Sequence, residues 1–164
     1  MKILAIDPGS NTTGYAVIDM ALNLLDAGLI RPDKTRLDAW TRIEQISAEV
    51  GRLIREYEPS RVILEVPGGQ SGHGKRSTHS LIIYGAAVGA AYGVALAMGV
   101  PIVTADTGEW TRGRSKEARQ AEVIARFPKY QPKRDPGLDT SDAIALGLWY
   151  TVGYVRSLSA KARK

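Results

Sequence analysis

Residues Ile3-Leu4-Ala5-Ile6 run straight into Asp7-Pro8-Gly9. A short apolar run of this kind reads as a buried strand, and Pro8 with Gly9 breaks it. A carboxylate at the tip of a buried strand stands at the rim of a sheet, where loops and sites gather. It needs a cation or a hydrogen-bond donor. Asp7 is therefore the first candidate for a metal-binding acid. The plainer reading is a turn aspartate bonded to its own backbone. The positions of the other acids decide between the two.

Gly14-Tyr15-Ala16-Val17-Ile18-Asp19 reads as a second strand, joined to the first as a hairpin. Leu24 to Ile30 makes a third, closed by Arg31-Pro32-Asp33, so the chain opens as an antiparallel meander. A helix follows, with Leu37, Trp40, Ile43, Ile46, Val50, Leu53, Ile54 and Tyr57 on its apolar face. Arg42, Glu44, Glu49, Arg52 and Glu56 lie on the other face and read as simply solvated, and Glu58-Pro59-Ser60 ends the helix. Arg61 to Val66 is a second apolar run closing on an acid, Glu65. Coming after a meander and a helix, it can lie beside the first strand and parallel to it. Glu65 and Asp7 then meet at one rim.

Gly68 to His79 is glycine-rich and carries Lys75 and Arg76. It reads either as an arm that closes on a phosphate backbone or as a plain loop, and His73 or His79 as a metal ligand ranks below both. From Ser77 to Ala105 there is no Asp, Glu, Lys or Arg. The centre of this stretch is Ala and Gly, of modest hydrophobicity, so a buried helix over 81–98 is expected rather than a membrane span. Gly85, Gly89 and Gly93 sit four apart on one face of that helix. Each glycine costs about 1 kcal/mol against alanine, so a close neighbour is expected there, with a subunit interface favoured over an internal partner.

Val100 to Ala105 is the last strand, and Asp106-Thr107 reads as a helix cap. Ser115 to Phe127 is a helix with Ser115 as N-cap and Arg119 where a capping box would place Glu or Gln. Arg112, Arg114, Lys116 and Arg119 cluster at its start, and Arg126, Lys129, Lys133 and Arg134 follow. With a net charge of +5 and a pI near 9.6, this density reads as a surface for a polyanion backbone, against a solvated face. Pro128 to Gly137 is a loop, after which Asp139 and Asp142 open an apolar helix. Their spacing of three puts both carboxylates on one side. A capping aspartate explains Asp139 but not both acids.

At 164 residues the chain is expected to form one domain over 1–155, with a basic, frayed tail over 156–164. There are no cysteines, which excludes disulfides and cysteine-based zinc sites. Met1-Lys2 leads directly into the first strand, so no signal peptide is read.

Four acids thus stand at element ends: Asp7, Glu65, Asp139 and Asp142. Unpaired in one pocket they would repel and raise each other's pKa. Hard oxygen donors without His or Cys suit Mg²⁺ or Mn²⁺. Two such ions about 4 Å apart can activate a water and stabilise the leaving oxygen of a phosphodiester.

The chain resembles the RuvC family of Holliday-junction resolvases, in the ribonuclease H-like superfamily. The resemblance rests on Ile6-Asp7-Pro8-Gly9-Ser10 with Gly14-Tyr15, on Ile63-Leu64-Glu65, and on Asp139-Thr140-Ser141-Asp142-Ala143, in that order. It implies an α/β fold with a mixed five-stranded sheet, an antiparallel meander plus parallel strands, flanked by helices. It implies a cytoplasmic enzyme of a bacterial or phage-infected cell that nicks four-way DNA junctions as a homodimer, with two Mg²⁺ per site and Mn²⁺ as a substitute. Asp7, Glu65, Asp139 and Asp142 carry over as metal ligands, and Lys116 as a basic residue near the scissile phosphate. Lys75, Arg76, Arg112, Arg114, Lys116 and Arg119 are the expected DNA contacts, and helix 81–98 the expected dimer contact. Family members carry an aromatic just past the glutamate, whereas here the chain reads Val66-Pro67-Gly68-Gly69-Gln70. A looser branched-DNA debranching nuclease, a non-catalytic junction-binding module and an RNA-directed relative are the alternatives. Actin-like and sugar-kinase ATPases also open on Asp-x-Gly and a hairpin, but they need two lobes, for which this chain is too short.

Overall fold

A computed structural model of the chain describes residues 1–35, 37–67, 77–130, 135 and 137–161, with the backbone alone for 158–161. Three strands open it: β1 (Lys2–Asp7), β2 (Thr13–Asp19) and β3 (Leu24–Ile30). They pair antiparallel in sequence, as the short connections require. Helix α1 (Ala39–Tyr57) returns the chain to β4 (Arg61–Val66), which lies parallel to β1. Helix α2 (Thr78–Ala97) leads to β5 (Ile102–Asp106), parallel to β4 at the sheet edge. The order is β3-β2-β1-β4-β5, the mixed five-stranded sheet expected. The short α3 (Thr107–Thr111), then α4 (Lys116–Arg126) and α5 (Asp139–Lys161), complete the chain.

Alternation along the central strands divides the core into two layers. Ile3, Ala5, Ile18 and Ile63 face α5, with Ile144 and Leu146 packed on them. Leu4, Ile6, Val62 and Leu64 face the opposite side, against Ile46, Val50 and Leu53 of α1 and Ala91 and Ala95 of α2.

Several expectations are amended. Leu37 precedes α1 and Trp40 is 57% exposed. Asp38 is the N-cap, accepting from the amides of Trp40 and Thr41, and its capping places Trp40 on the outward side of the first turn. Arg42 is not merely solvated: its guanidinium donates to the carbonyls of Ser10 and Leu37 and so ties α1 to the loop after β1. Helix α2 begins three residues early, at Thr78, with Ser77 capping it.

Helix α2 is not buried all round. Ile83, Ala87, Ala91 and Ala95 form its one buried stripe. By length and composition it could cross a membrane, yet that stripe packs on α1 and the sheet. Leu81, Ile82, Tyr92 and Leu96 project outward. A Cβ added at Gly85, Gly89 or Gly93 would meet open space, so among the described residues no internal neighbour explains the glycine stripe.

The basic tail is also different. Helix α5 continues through Lys161, because neither proline nor a turn sequence interrupts it after Asp142.

One glycine couples the meander to α5. A Cβ at Gly14 would lie 2.0 Å from the carbonyl oxygen of Asp139, so only hydrogen fits. Gly14→Ala is expected to cost about 1–3 kcal/mol, the usual range for overpacking, measured as a lower urea midpoint with unchanged slope.

Candidate active site

Register sets the first half of the site. Ile6 lies opposite Leu64 in the parallel β1–β4 pair, so Asp7 and Glu65 are the next residues on neighbouring strands. Both continue the alternation of Ala5 and Ile63 and therefore face α5. The second half comes from the start of that helix. Asp135 accepts from the amides of Asp139, Thr140 and Ser141 and fixes the first turn. Leu138, in the left-handed region at φ 59°, turns the chain into it.

Asp7, Glu65, Asp139 and Asp142 line one cleft of about 670 Å³, together with Lys116 and Arg119. A somewhat larger groove of about 790 Å³ runs between α4 and α5 past Trp149 and Tyr154. It contains none of the four acids, so the chemistry belongs to the smaller cleft.

The carboxylates are held by this chain's own donors. Thr107 donates to Glu65 Oε1 at 2.6 Å. Thr12 donates to Asp139 Oδ2 at 2.7 Å. Arg119 Nε donates to Asp142 Oδ1 at 2.7 Å. Lys116 Nζ sits 3.4 Å from Asp139 Oδ1 and 3.2 Å from Asp142 Oδ2, and donates to the Gly137 carbonyl at 2.9 Å.

Burial, then the charges of Glu65, Asp142 and Asp139, push the Asp7 carboxyl well above the usual carboxylate range. Burial also raises Glu65, against the lowering effect of the Thr107 and Asp7 hydrogen bonds. Burial draws the Lys116 ammonium down, but Asp142, Asp7 and Asp139 outweigh it and the net shift is upward.

Among the described residues no three acids form a ready-made ligand cluster. The fit to a metal rests instead on the donor set. Four carboxylates from three segments face one cleft, without His or Cys, which suits a hard cation.

The DNA-contact residues divide. Arg112 is exposed at the end of α3. Arg114 lines the cleft while pairing with Glu122. Arg119 is a correction: it is 5% exposed, and its guanidinium is paired with Asp142 and lies 4.9 Å from the Trp110 ring. It is an internal counter-ion rather than a surface contact, because its position on α4 faces α5 and not solvent. Lys75, Arg76, His73, Lys133 and Arg134 lie outside the described residues, as does most of the stretch where the aromatic is missing. His79 is exposed and is not among the residues that line the cleft.

The sequence reading missed Thr12, Thr107 and Asp135. Asp135, just before Pro136-Gly137 and a helix, carries a cap signal. Nothing in the sequence aims Thr12 at Asp139, or Thr107, read only as part of a helix cap, at Glu65.

The family model of the crossover junction endodeoxyribonuclease RuvC matches residues 3–149. The chain belongs to the RuvC family. The RuvC of Burkholderia multivorans is 29% identical over 161 residues, covering 93% of this chain and 84% of that protein. The RuvC of Trichlorobacter lovleyi is 27% identical over 171 residues, covering 98% and 90%. Among solved structures, T. thermophilus RuvC in complex with Holliday junction substrate superposes with a TM-score of 0.77 at 22% identity, over 96% of each chain. The yeast mitochondrial Holliday junction resolvase Ydc2 gives 0.61 at 12% identity, over 97% of this chain and 83% of that one. The RuvC fold is thus shared.

The raised carboxyls have a consequence for stability. A carboxyl whose folded pKa exceeds its unfolded value binds more protons when folded, so stability falls as pH rises above the unfolded value. Starting near the ordinary 3.8 and 4.5 of Asp7 and Glu65, metal-free protein should lose stability with rising pH. Asp7→Asn removes one such charge. In chelator at neutral pH it is expected to raise Tm by about 2–4 °C, the shift that about 1 kcal/mol gives at this size, as read by thermal scanning.

Proposed function

We propose that the chain is a metal-dependent endonuclease that resolves four-way DNA junctions by paired, symmetric nicks. The supporting observation is the cleft itself, in which acids from β1, β4 and α5 face each other with Lys116 between two of them. The family match over residues 3–149 supports four-way junction DNA as the substrate class.

Asp7, Glu65, Asp139 and Asp142 are the residues that would hold two Mg²⁺ ions, with Mn²⁺ as a substitute. Bound there, such ions supply an activated water and stabilise the leaving oxygen. The water oxygen bonds to phosphorus, and the bond from phosphorus to the 3′ oxygen breaks. The products are 5′-phosphate and 3′-hydroxyl ends. Lys116, 47% exposed in its side chain, would meet a non-bridging phosphate oxygen. Arg112 and Arg114, with Lys75 and Arg76, contribute backbone contacts. These fix position and carry no sequence information.

Two nicks need two sites, and α2 offers the surface for a second copy. Its outward face is apolar, with Leu81, Ile82, Tyr92 and Leu96 exposed around the three glycines, where a Cβ would meet no described residue. A homodimer through this face covers the apolar patch and uses the close approach that glycine permits. No membrane is needed to explain it. The enzyme acts in the cytoplasm, where bacterial DNA lies.

Asp7→Asn and Asp142→Asn are each expected to abolish Mg²⁺-dependent nicking of a synthetic four-way junction while leaving gel-shift binding intact. Normal cleavage by either variant would refute the assignment. Cleavage of flaps and forks at the same rate as the four-way junction would favour the debranching reading. For the dimer, Gly89→Arg is expected to halve the mass seen in sedimentation without changing the circular dichroism spectrum.

A further inference from the structure

Each of three acids in the cleft has one oxygen occupied by a neighbour. Thr107 holds Glu65 Oε1, Thr12 holds Asp139 Oδ2 and Arg119 holds Asp142 Oδ1. Two of the oxygens left over, Asp139 Oδ1 and Asp142 Oδ2, are those that Lys116 approaches from the cleft. A carboxylate held in this way keeps one oxygen turned to the cleft and resists the rotation that would offer both.

The clamp on Asp142 is the most rigid. Arg119 is 5% exposed, and its Nη1 also donates to the Arg114 carbonyl at 2.5 Å. Its Cζ lies over the buried Trp110 ring, 4.9 Å from the ring centroid. The planar fork is thus pinned on three sides, which a flexible ammonium could not reproduce. Neither the charge pattern nor the reaction requires an arginine at this position; Asp142 does.

Resting on the four-acid reading above, we propose that Arg119 is a positioning residue that makes Asp142 a one-oxygen ligand and so biases the site towards small octahedral cations and against Ca²⁺. The physical basis is the difference in coordination. Mg²⁺ and its like take near-octahedral sets of single oxygens, whereas Ca²⁺ takes more ligands, often with carboxylates bidentate. A carboxylate tied at one oxygen serves the first and handicaps the second.

Arg119 also repels any divalent ion, so absolute affinity confounds charge with orientation. The ratio of Mn²⁺ to Ca²⁺ affinity does not, because both ions carry the same charge. Calorimetric titration of the full chain with Mn²⁺ and with Ca²⁺ gives this ratio without any cleavage step. Wild type should prefer Mn²⁺. Arg119→Met should lower the preference about tenfold, the low end for losing a partner that orients a ligand. Arg119→Lys keeps the charge and protects against a folding failure of the first variant. It should lower the preference less, since lysine has no fork to hold Asp142 and the Arg114 carbonyl together. A wild-type preference left unchanged in both variants overturns the inference and leaves the metal site standing. Wild-type protein that binds neither ion overturns both.

Discussion

Parallel pairing of β1 with β4 is the constraint from which the site follows. It sets Asp7 and Glu65 side by side on the face that α5 covers. Antiparallel pairing would have sent the two acids to opposite ends of the sheet. Helix α5 then enters at the same rim, close enough that Gly14 touches the Asp139 backbone. Carboxylates brought together in this way repel, and burial of Asp7 and Glu65 sharpens the conflict. Without metal, the fold offsets it with Lys116 and Arg119. The α3–α4 segment is thus part of the site's electrostatics, not a connector beside it.

Much of this was legible in the sequence because it depends on local pattern. The run Ile3 to Ile6 and the run Val62 to Leu64 each ended in an acid, and each was a strand. The meander order followed from short connections. What escaped was decided by packing across the sheet. Arg119 occupied a basic cluster and resembled its neighbours, yet it turns inward because its position on α4 meets Asp142 of α5. Thr12 and Thr107 are ordinary hydroxyls until the fold aims them at Asp139 and Glu65. Arg42 had the look of a solvated helix charge, but it reaches the Ser10 carbonyl 32 positions away. Sequence periodicity assigns a face to a residue; it does not say which element covers that face.

Helix α2 illustrates the same limit from the other side. Its small-residue stripe was readable, and so was its lack of charge. Its buried side proved to be the alanine stripe of Ala87, Ala91 and Ala95, with the glycines facing out. Alanine suffices for packing against α1, where Ile43 and Ile83 fill the space. Among the described residues, glycine at three outward positions serves no contact within the chain. In an exposed helix it only costs stability, so its presence there calls for an approach closer than alanine would allow.

The two cations of the cleft divide their work according to freedom of movement. Lys116 opens α4, with a side chain that is 47% exposed and only long contacts to its acids. Beyond its bond to the Gly137 carbonyl, drawing it to an anion would cost little, because the oxygens it leaves face the cleft and can be met by another cation. Arg119 has no such freedom, since releasing it would strand a buried carboxylate and a buried guanidinium at once. Breaking a buried pair in that manner costs about 3–5 kcal/mol, more than one phosphate contact returns. An anion entering the cleft would therefore meet the lysine while the arginine stays with Asp142, which separates the cation free to move from the one that keeps its neighbour aligned.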